Sequence, residues 1–583
     1  MWSVKSVPLR ARIAKFLSAA IIGGLLSIVP SAWWMPLTPA AQASPVSNPD
    51  SDTYLTFNGS TQYASGGATD PATQPTNLMT VETWVKLSST CAATECAIVG
   101  KEGVFILAIR NGLVDFALDG NANSGATSWN WNNAVGSSTN ISLPTGQWFH
   151  ISLVKDGTNT AKIYIDGQLR WSGNAYSCNS ACTSTLSVRN TPLYVGARDY
   201  VSTLGSYFNG SIDQVALWDG ARSDADITTD MDTYINPSSS GLRALYDFNE
   251  GSGSILRNQA SQSTSSDLTI YNTPTWGDIK SVTTDAGNQS VVKFERTYLT
   301  VTGGYSLPSY VSTASALIVA GGGGGGGAAF GGGGAGGAVI QVTNFATTGT
   351  GRMKIVVGHA GYRGIIHPTS VTDSTDVRGG NGTASVIGLN GSTLTAAGGG
   401  GGAGYWNSGD ADRSHSLGSR GGNNGGNNEL SATSGPTSLS QYNGPLQDTS
   451  GSTWSVGGAV VYKSGYTAGS TPSSGATGAG SGGAGANGNS SSPTTAGLGT
   501  AGGAGFTDTL ISSASTTYAG GGGGGGDTSR AGGGGGAAGS GGAGAGSGNG
   551  NGGNASANTG SGGGGAGWNG AQRYGGFGAT GVV

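Results

Sequence analysis

Residues 146–173, GQWFHISLVKDGTNTAKIYIDGQLRWSG, read as three consecutive antiparallel strands. Phe149, Ile151 and Leu153 alternate with His150, Ser152 and Val154, so one face can be buried. Residues 156–160 form a turn cluster. Ala161, Ile163 and Ile165 repeat the alternation against Lys162 and Tyr164. Asp166-Gly167 is a strong hairpin signal, because a two-residue primed turn needs positive φ at both central residues. Gln168 to Trp171 returns. A meander of this kind is marginally stable alone and needs a second sheet over its apolar face.

Strands are expected on either side at 54–57, 78–87, 97–100, 104–110, 113–118, 193–198, 211–218 and 242–248. In 78–87, Met79, Val81, Thr83 and Val85 take one face; Thr80, Glu82, Trp84 and Lys86 take the other. Residues 223–234 form the one short helix, with Ser223 as N-cap and acidic residues in the first turns. Short strands at this spacing, separated by turn signals, argue an all-β, two-sheet sandwich.

Seven stretches occur in order: YLTFNGSTQYA, MTVETWVKL, GQWFHISLVKDG, IYIDGQ, PLYVGARD, FNGSIDQVALWDGARS and ALYDFNEGSG. Together they resemble the laminin-G-like domains of the concanavalin A-like lectin/glucanase superfamily, over residues 54–276. The resemblance implies a jelly-roll sandwich that binds glycans or proteins at a sheet face or a loop rim. Glucanases of the superfamily carry E-x-D-x-x-E on one strand, which supplies nucleophile and acid/base on one face. The nearest match here runs from Ser211 to Ala216, with serine and alanine where the glutamates would stand. Both groups the chemistry needs are missing. The superfamily also implies a structural calcium ion held by loop oxygens. Asn58 and Asp213 are the candidate ligands; the alternative is that both satisfy local backbone donors.

A binding platform needs exposed aromatics. Trp129 and Trp131 lie among the amides Asn130 and Asn132, so the rings could stack on sugars and the amides bond hydroxyls. Alternatively the two tryptophans form a strand face packed on the sandwich.

The formal charge is -4 over 583 residues and only 10% are charged. No basic run points to nucleic acid. Residues 1–43 read as an export signal: Lys5, Arg10, Arg12 and Lys15, an apolar core, and the small-x-small site Ala41-Gln42-Ala43. The alternative is a membrane anchor that stays, although Pro30 and Pro36 interrupt the apolar run; cleavage would leave no membrane span. The expected location is therefore secreted or cell-surface. The four cysteines fit disulfides in an oxidising compartment. Local pairing, Cys91 with Cys96 and Cys178 with Cys182, is the leading one of three connectivities.

Most of the 112 glycines fall after residue 300. Residues 44–53 read as a linker, 277–296 as a junction and 297–583 as a glycine-rich domain. Strand-like runs at 298–302, 314–320, 339–342, 353–357, 385–389 and 394–397 alternate with glycine blocks. GGYSLPSYVSTASALIVAGGGGGGG, MKIVVGHAG and GGFGATGVV are similar to glycine-rich domains of bacterial surface and phage tail-associated proteins. Collagen needs a strict three-residue repeat and much proline, which this half lacks. A flexible linker would not carry Ala-Leu-Ile-Val-Ala. The expectation is a small β base with packed, polyproline-II-like glycine segments, whose ordering entropy is the cost. Leu317, Val319, Val339, Ile340, Ile355, Val357, Val386 and Ile387 could fill one small core. The chain ends at Gly581-Val582-Val583, in a strand-like run.

The GxGxxG strings lie outside any βαβ unit and carry no nucleotide meaning. The four histidines are scattered. The leading reading is an exported, non-enzymatic protein whose jelly roll binds an extracellular glycan or protein on a glycine-rich scaffold, in an adhesion or surface role. A glucanase-like enzyme and a purely structural matrix protein are the alternatives.

Overall fold

The computed structural model describes residues 50–67, 77–92, 95–119, 139–157, 160–175, 186–200, 202–261, 267–284, 290–328, 330–347, 352–365, 377–404, 452–453, 458–463, 478–489, 497–508, 510, 515–528, 535–568 and 573–583. The export-signal reading, Trp129, Asn130, Trp131, Asn132, Cys178 and Cys182 lie outside them. Residues 45–583 form one compact unit.

The three-strand reading holds: Trp148–Lys155, Thr160–Ile165 and Gln168–Asn174 are consecutive and antiparallel. Asp166 and Gly167 turn between the last two with φ of 49° and 72°, as a primed turn requires. These strands continue a first sheet in the order Thr275–Asp278, Thr53–Asn58, Asn209–Trp218, Met79–Leu87, then the meander, with Leu242–Tyr246 also pairing Asn209–Trp218. A second sheet runs Ile255–Leu256, Leu268–Tyr271, Tyr63–Ser65, Leu193–Val195, Glu95–Lys101, Phe105–Arg110, Leu113–Leu118. The inner faces meet in one core that includes Phe57, Val85, Phe105, Phe116, Phe149, Ile151 and Ile212. The architecture is an antiparallel jelly-roll sandwich.

The helix is Asp224–Asp232. The Ser223 side chain accepts from the Asp226 amide, and Asp226 reaches back to the Ser223 amide. This reciprocal cap needs a serine three residues before an acidic side chain. Ile227 buries against Val154 and Tyr164 on the outer face of the first sheet. None of the helices among the described residues is long and apolar enough to cross a membrane.

One expectation fails instructively. Alternation in 148–155 suggested one buried face, yet every residue of that strand is buried. The same holds for Thr80, Glu82 and Trp84. The reason is that two parts of the chain cover the first sheet's outer face: the helix and the segment before it lie over Val154, Thr80 and Glu82, and the second half covers the rest. Trp84 and Trp148 share a core with Ile318, Ile340, Phe345, Ile355 and Ile387 from beyond residue 300.

Within the junction, Lys280–Thr284 and Ser290–Phe294 pair as a hairpin. The expected strand at 298–302 does not form. Tyr298 and Leu299 are buried there, and the Leu299 amide bonds the Asp52 carboxylate at 2.6 Å instead of a ladder partner. The small core is two cores. Ile340, Ile355, Val357 and Ile387 face the sandwich, while Leu317, Val319 and Val339 pack with Ala484, Ala519 and Val582.

The glycine block 321–327 bonds with a period of three. The amides of Gly321, Gly324 and Gly327 donate to Thr383, Gly380 and Val377. Those of Gly322 and Gly325 donate to Ala579 and Gly576, and those of Gly323 and Gly326 to Ala335 and Gly332. Three residues per turn is the polyproline-II period. Each extended segment therefore bonds three neighbours. Residues 521–526 repeat the pattern, with Gly522 and Gly525 donating to Gly334 and Gly331. A Cβ on Gly326 would lie 1.6 Å from the Ala403 carbonyl oxygen, so no other residue fits.

Candidate functional site

The first sheet's outer face carries the polar residues that a lectin or enzyme could use. Directly opposite one another in register stand Asp213 and Trp84, then Trp84 and His150. Arg296, from the junction, lies over Trp84 and Trp148 at 4.9 and 5.5 Å from the ring centroids. Stacking a planar guanidinium on indole suits a buried site better than an ammonium would. Arg296 donates to Asp52 at 2.8 Å and to Asp213. Burial pushes the Asp52 carboxyl up to about 6, against the pull of Arg296. Asp213 is pushed well above the usual range by the same burial and by Asp52 beside it. One guanidinium serves two desolvated carboxyls, so the pair does not ionise fully at mildly acidic pH.

His359, from the glycine-rich half, sits beside Trp84 at 5.4 Å. Its Nε2 is 3.3 Å from Asp232 and its Nδ1 3.8 Å from Asp166. Burial alone would lower its pKa, but the Asp232 bond and the two carboxylates raise it. His150 is lowered to about 3 by burial and by His359. Glu82 lies 3.6 Å from His150, yet burial raises the Glu82 pKa well above normal. With His150 held neutral, that contact is no ion pair. Trp84, His150, Arg296 and His359 are each at most 3% exposed. The face therefore offers a substrate no access.

A cavity of about 190 Å³ opens at the edge of this contact. From the sandwich it is lined by Thr139, Asn140, Ile141, Leu169 and Arg170, and from the second half by Tyr362, Arg363 and Arg378 among others. Arg170 lies 4.5 Å over the Tyr362 ring. Arg363 stacks 4.2 Å from Tyr574 and donates to Ser142 Oγ at 2.6 Å. Stacking fixes both guanidinium planes and spares rotamer entropy when they bond a ligand. Three forked donors around one space suit a carboxylate or sulfate flanked by hydroxyls.

The sequence reading did not single out these arginines. The available signal was composition, since a charged residue is rare in the second half, and Arg363 and Arg378 are two of the few. Their convergence with Arg170 comes only from the fold.

The expected calcium ligands are not brought together. The Asn58 Oδ1 accepts the amides of Ser60 and Thr61 at 3.0 and 3.1 Å, a turn bond. Asp213 takes Arg296 and its neighbour's amide, Gln214, at 2.6 Å. Calcium needs six or more oxygens, and a carboxylate facing a buried arginine does not fit that role. Among the described residues no cluster of His, Cys, Asp and Glu suits a metal. Cys91 and Cys96 are disulfide-bonded.

Comparison with curated proteins returns no match. Among solved structures, a Bacteroides ovatus protein described as carbohydrate-binding is 19% identical with a TM-score of 0.29, covering 39% of this chain; this chain spans 60% of that protein's length. A pentraxin from Limulus polyphemus is 12% identical, TM-score 0.25, over 42% of this chain and 96% of its own. Mouse laminin α1 domains LG4-5 are 12% identical, TM-score 0.24, over 72% of this chain and 90% of theirs. Scores this low carry no weight; the strand register and the family model do. That model, described as the concanavalin A-like lectin/glucanases superfamily, matches residues 58–228, and this part of the chain is a laminin-G-like, concanavalin A-like domain.

Proposed function

We propose that the protein is an exported, non-catalytic glycan binder of the cell surface or exterior, with the glycine-rich half as scaffold and as one wall of the site. The observation that carries this reading is the arginine-lined cavity at the contact between the halves. Its donors suit an acidic sugar such as a uronate. Catalysis is disfavoured on the neighbouring face, because Ser211 and Ala216 replace the two glutamates and Arg296 covers Asp213.

The test is isothermal titration of the full chain with trigalacturonate and with its carboxyl-reduced counterpart. The acid should bind, and the reduced sugar should bind at least ~10-fold more weakly, as loss of a charge-assisted bidentate contact implies. Arg363→Ala should abolish the difference. Equal binding of both sugars, or no binding of the acid, contradicts the reading.

A further inference from the structure

The junction hairpin presents an open strand margin. Ser281, Val282, Thr283 and Thr284 are all exposed, so side chains on both faces of that strand meet solvent. Among the described residues, the only ladder of Lys280–Thr284 is the one to Ser290–Phe294. The hairpin is anchored on its inner side. The Phe294 amide donates to the Val583 carbonyl at 2.8 Å, and the Val319 amide donates to the Val582 carbonyl at 2.8 Å. Thr313–Val319 in turn pairs Val339–Ala346. Lys280–Thr284 is therefore the outer margin of a series of bonded strands rooted in the second half.

Open margins attract other strands, and proteins blunt them with charges, bulges or cover. Margins of the two large sheets are blunted in these ways. Gln168–Asn174 bulges at Arg170, which has no residue opposite it. Leu113–Leu118 is covered, since the Val114 amide donates to the Ile141 carbonyl at 2.7 Å. Lys280–Thr284 keeps register with its neighbour along its whole length. Its single charge, Lys280, is neutralised by Asp278 at 2.5 Å. Val282, at its middle, is 60% exposed, and its three β-branched residues hold the extended form.

We propose that this margin pairs with the same margin of a second copy of the chain, antiparallel about a two-fold axis at Val282. A two-fold contact sets one surface against itself, and this strand is its own complement. Val282 faces Val282, Ser281 faces Thr283 of the second copy, and Lys280 faces Thr284 of the second copy. Apolar and hydroxyl pairs across strands stabilise, and no like charges meet. A foreign strand would gain the main-chain bonds without this side-chain match. One short ladder buries little area, so the dimer is weak and depends on concentration. The inference stands apart from the arginine cavity, because no residue is shared.

Sedimentation velocity of the full chain from about 1 to about 200 µM tests it, the range in which a weak contact fills. The parent should pass from monomer to dimer. Val282→Lys and Val282→Glu should each stay monomeric, because like charges would then stand opposite at the axis. An equimolar mixture of the two variants should dimerise again, since opposite charges meet there. Val282 is exposed, so both variants should melt like the parent. Arg363→Ala should dimerise like the parent. A parent that stays monomeric at the highest concentration, a dimer that either Val282 variant retains, or a mixture that stays monomeric would overturn the proposal. So would growth past the dimer, which requires a contact between unlike surfaces.

Discussion

Arg296 and Asp213 form a buried ion pair between the junction and the sandwich. Asp213 lies on the strand where a glucanase of the superfamily would carry its carboxylates. Here that strand is an internal surface, and its acidic residue meets a cation from the same chain. The pair makes the second half part of the sandwich's packing. Replacing Arg296 by alanine should therefore cost about 3–5 kcal/mol, because Asp52 and Asp213 would stay buried without their cation. Denaturant unfolding measures this directly. A loss below about 1 kcal/mol, typical of a surface pair, would refute the buried role.

Stability should fall as pH rises from about 4.5 to 7. His359 has a raised folded pKa, so its contribution is full below the unfolded value and is lost above the folded one. Asp52 and Asp166 are raised to about 6 and Glu250 to about 7. Their native forms bind protons that the unfolded chain has released, which also favours folding at lower pH. His150 opposes this below about 6, since its folded value is about 3 and it must stay neutral. Melting temperature should already be falling between about pH 4.5 and 7, because Asp52, Asp166 and Glu250 together outweigh His150 over that window. His359→Gln should flatten the descent. A melting temperature that rises steadily to pH 8 would contradict the assignment.

Glycine at 326 is a steric requirement. Gly326→Ala would drive a methyl to within 1.6 Å of a backbone oxygen, and backbone cannot yield as a side chain can. The loss should exceed the ~1–3 kcal/mol of ordinary overpacking. Gly220→Ala, with nothing within 4 Å, is the control and should change stability by less than about 0.5 kcal/mol. Equal melting temperatures for the two variants would count against packed glycine segments.

Calcium removal should leave the fold unchanged. Asn58 and Asp213 both have protein partners, an amide turn and a guanidinium. A chelator should not lower the melting temperature measurably. A fall of several degrees would reveal a cation site elsewhere in the chain.

The sandwich was legible because its signals are local. Alternation in 148–155, the Asp166-Gly167 turn and the Ser223 cap each act within a few residues. The outward face of the first sheet was not legible. Trp84 and His150 sit where alternation expects solvent, and the groups that cover Trp84, Arg296, Ile340 and His359, all come from more than two hundred residues further along. The 298–302 run failed for a similar reason: a strand-like composition was captured by the Asp52 side chain. The Arg170–Arg363–Arg378 cavity is assembled across the two halves, so no spacing in the sequence announces it. The three-neighbour bonding of the glycine block 321–327 is not written in its own sequence, because it needs the partners at 332–335, 377–383 and 576–579 to be seen together.

The central claim is that the glycine-rich half is an ordered body bonded in on three sides and packed on the first sheet. Native-state amide exchange across 321–327 tests it most directly. Each of these amides has a backbone acceptor at 2.8–3.1 Å, so they should exchange through global unfolding, with protection matching that of residues 148–155. Exchange at the rate of a free glycine chain, while 148–155 stays protected, would show the half to be a tether and would contradict the account.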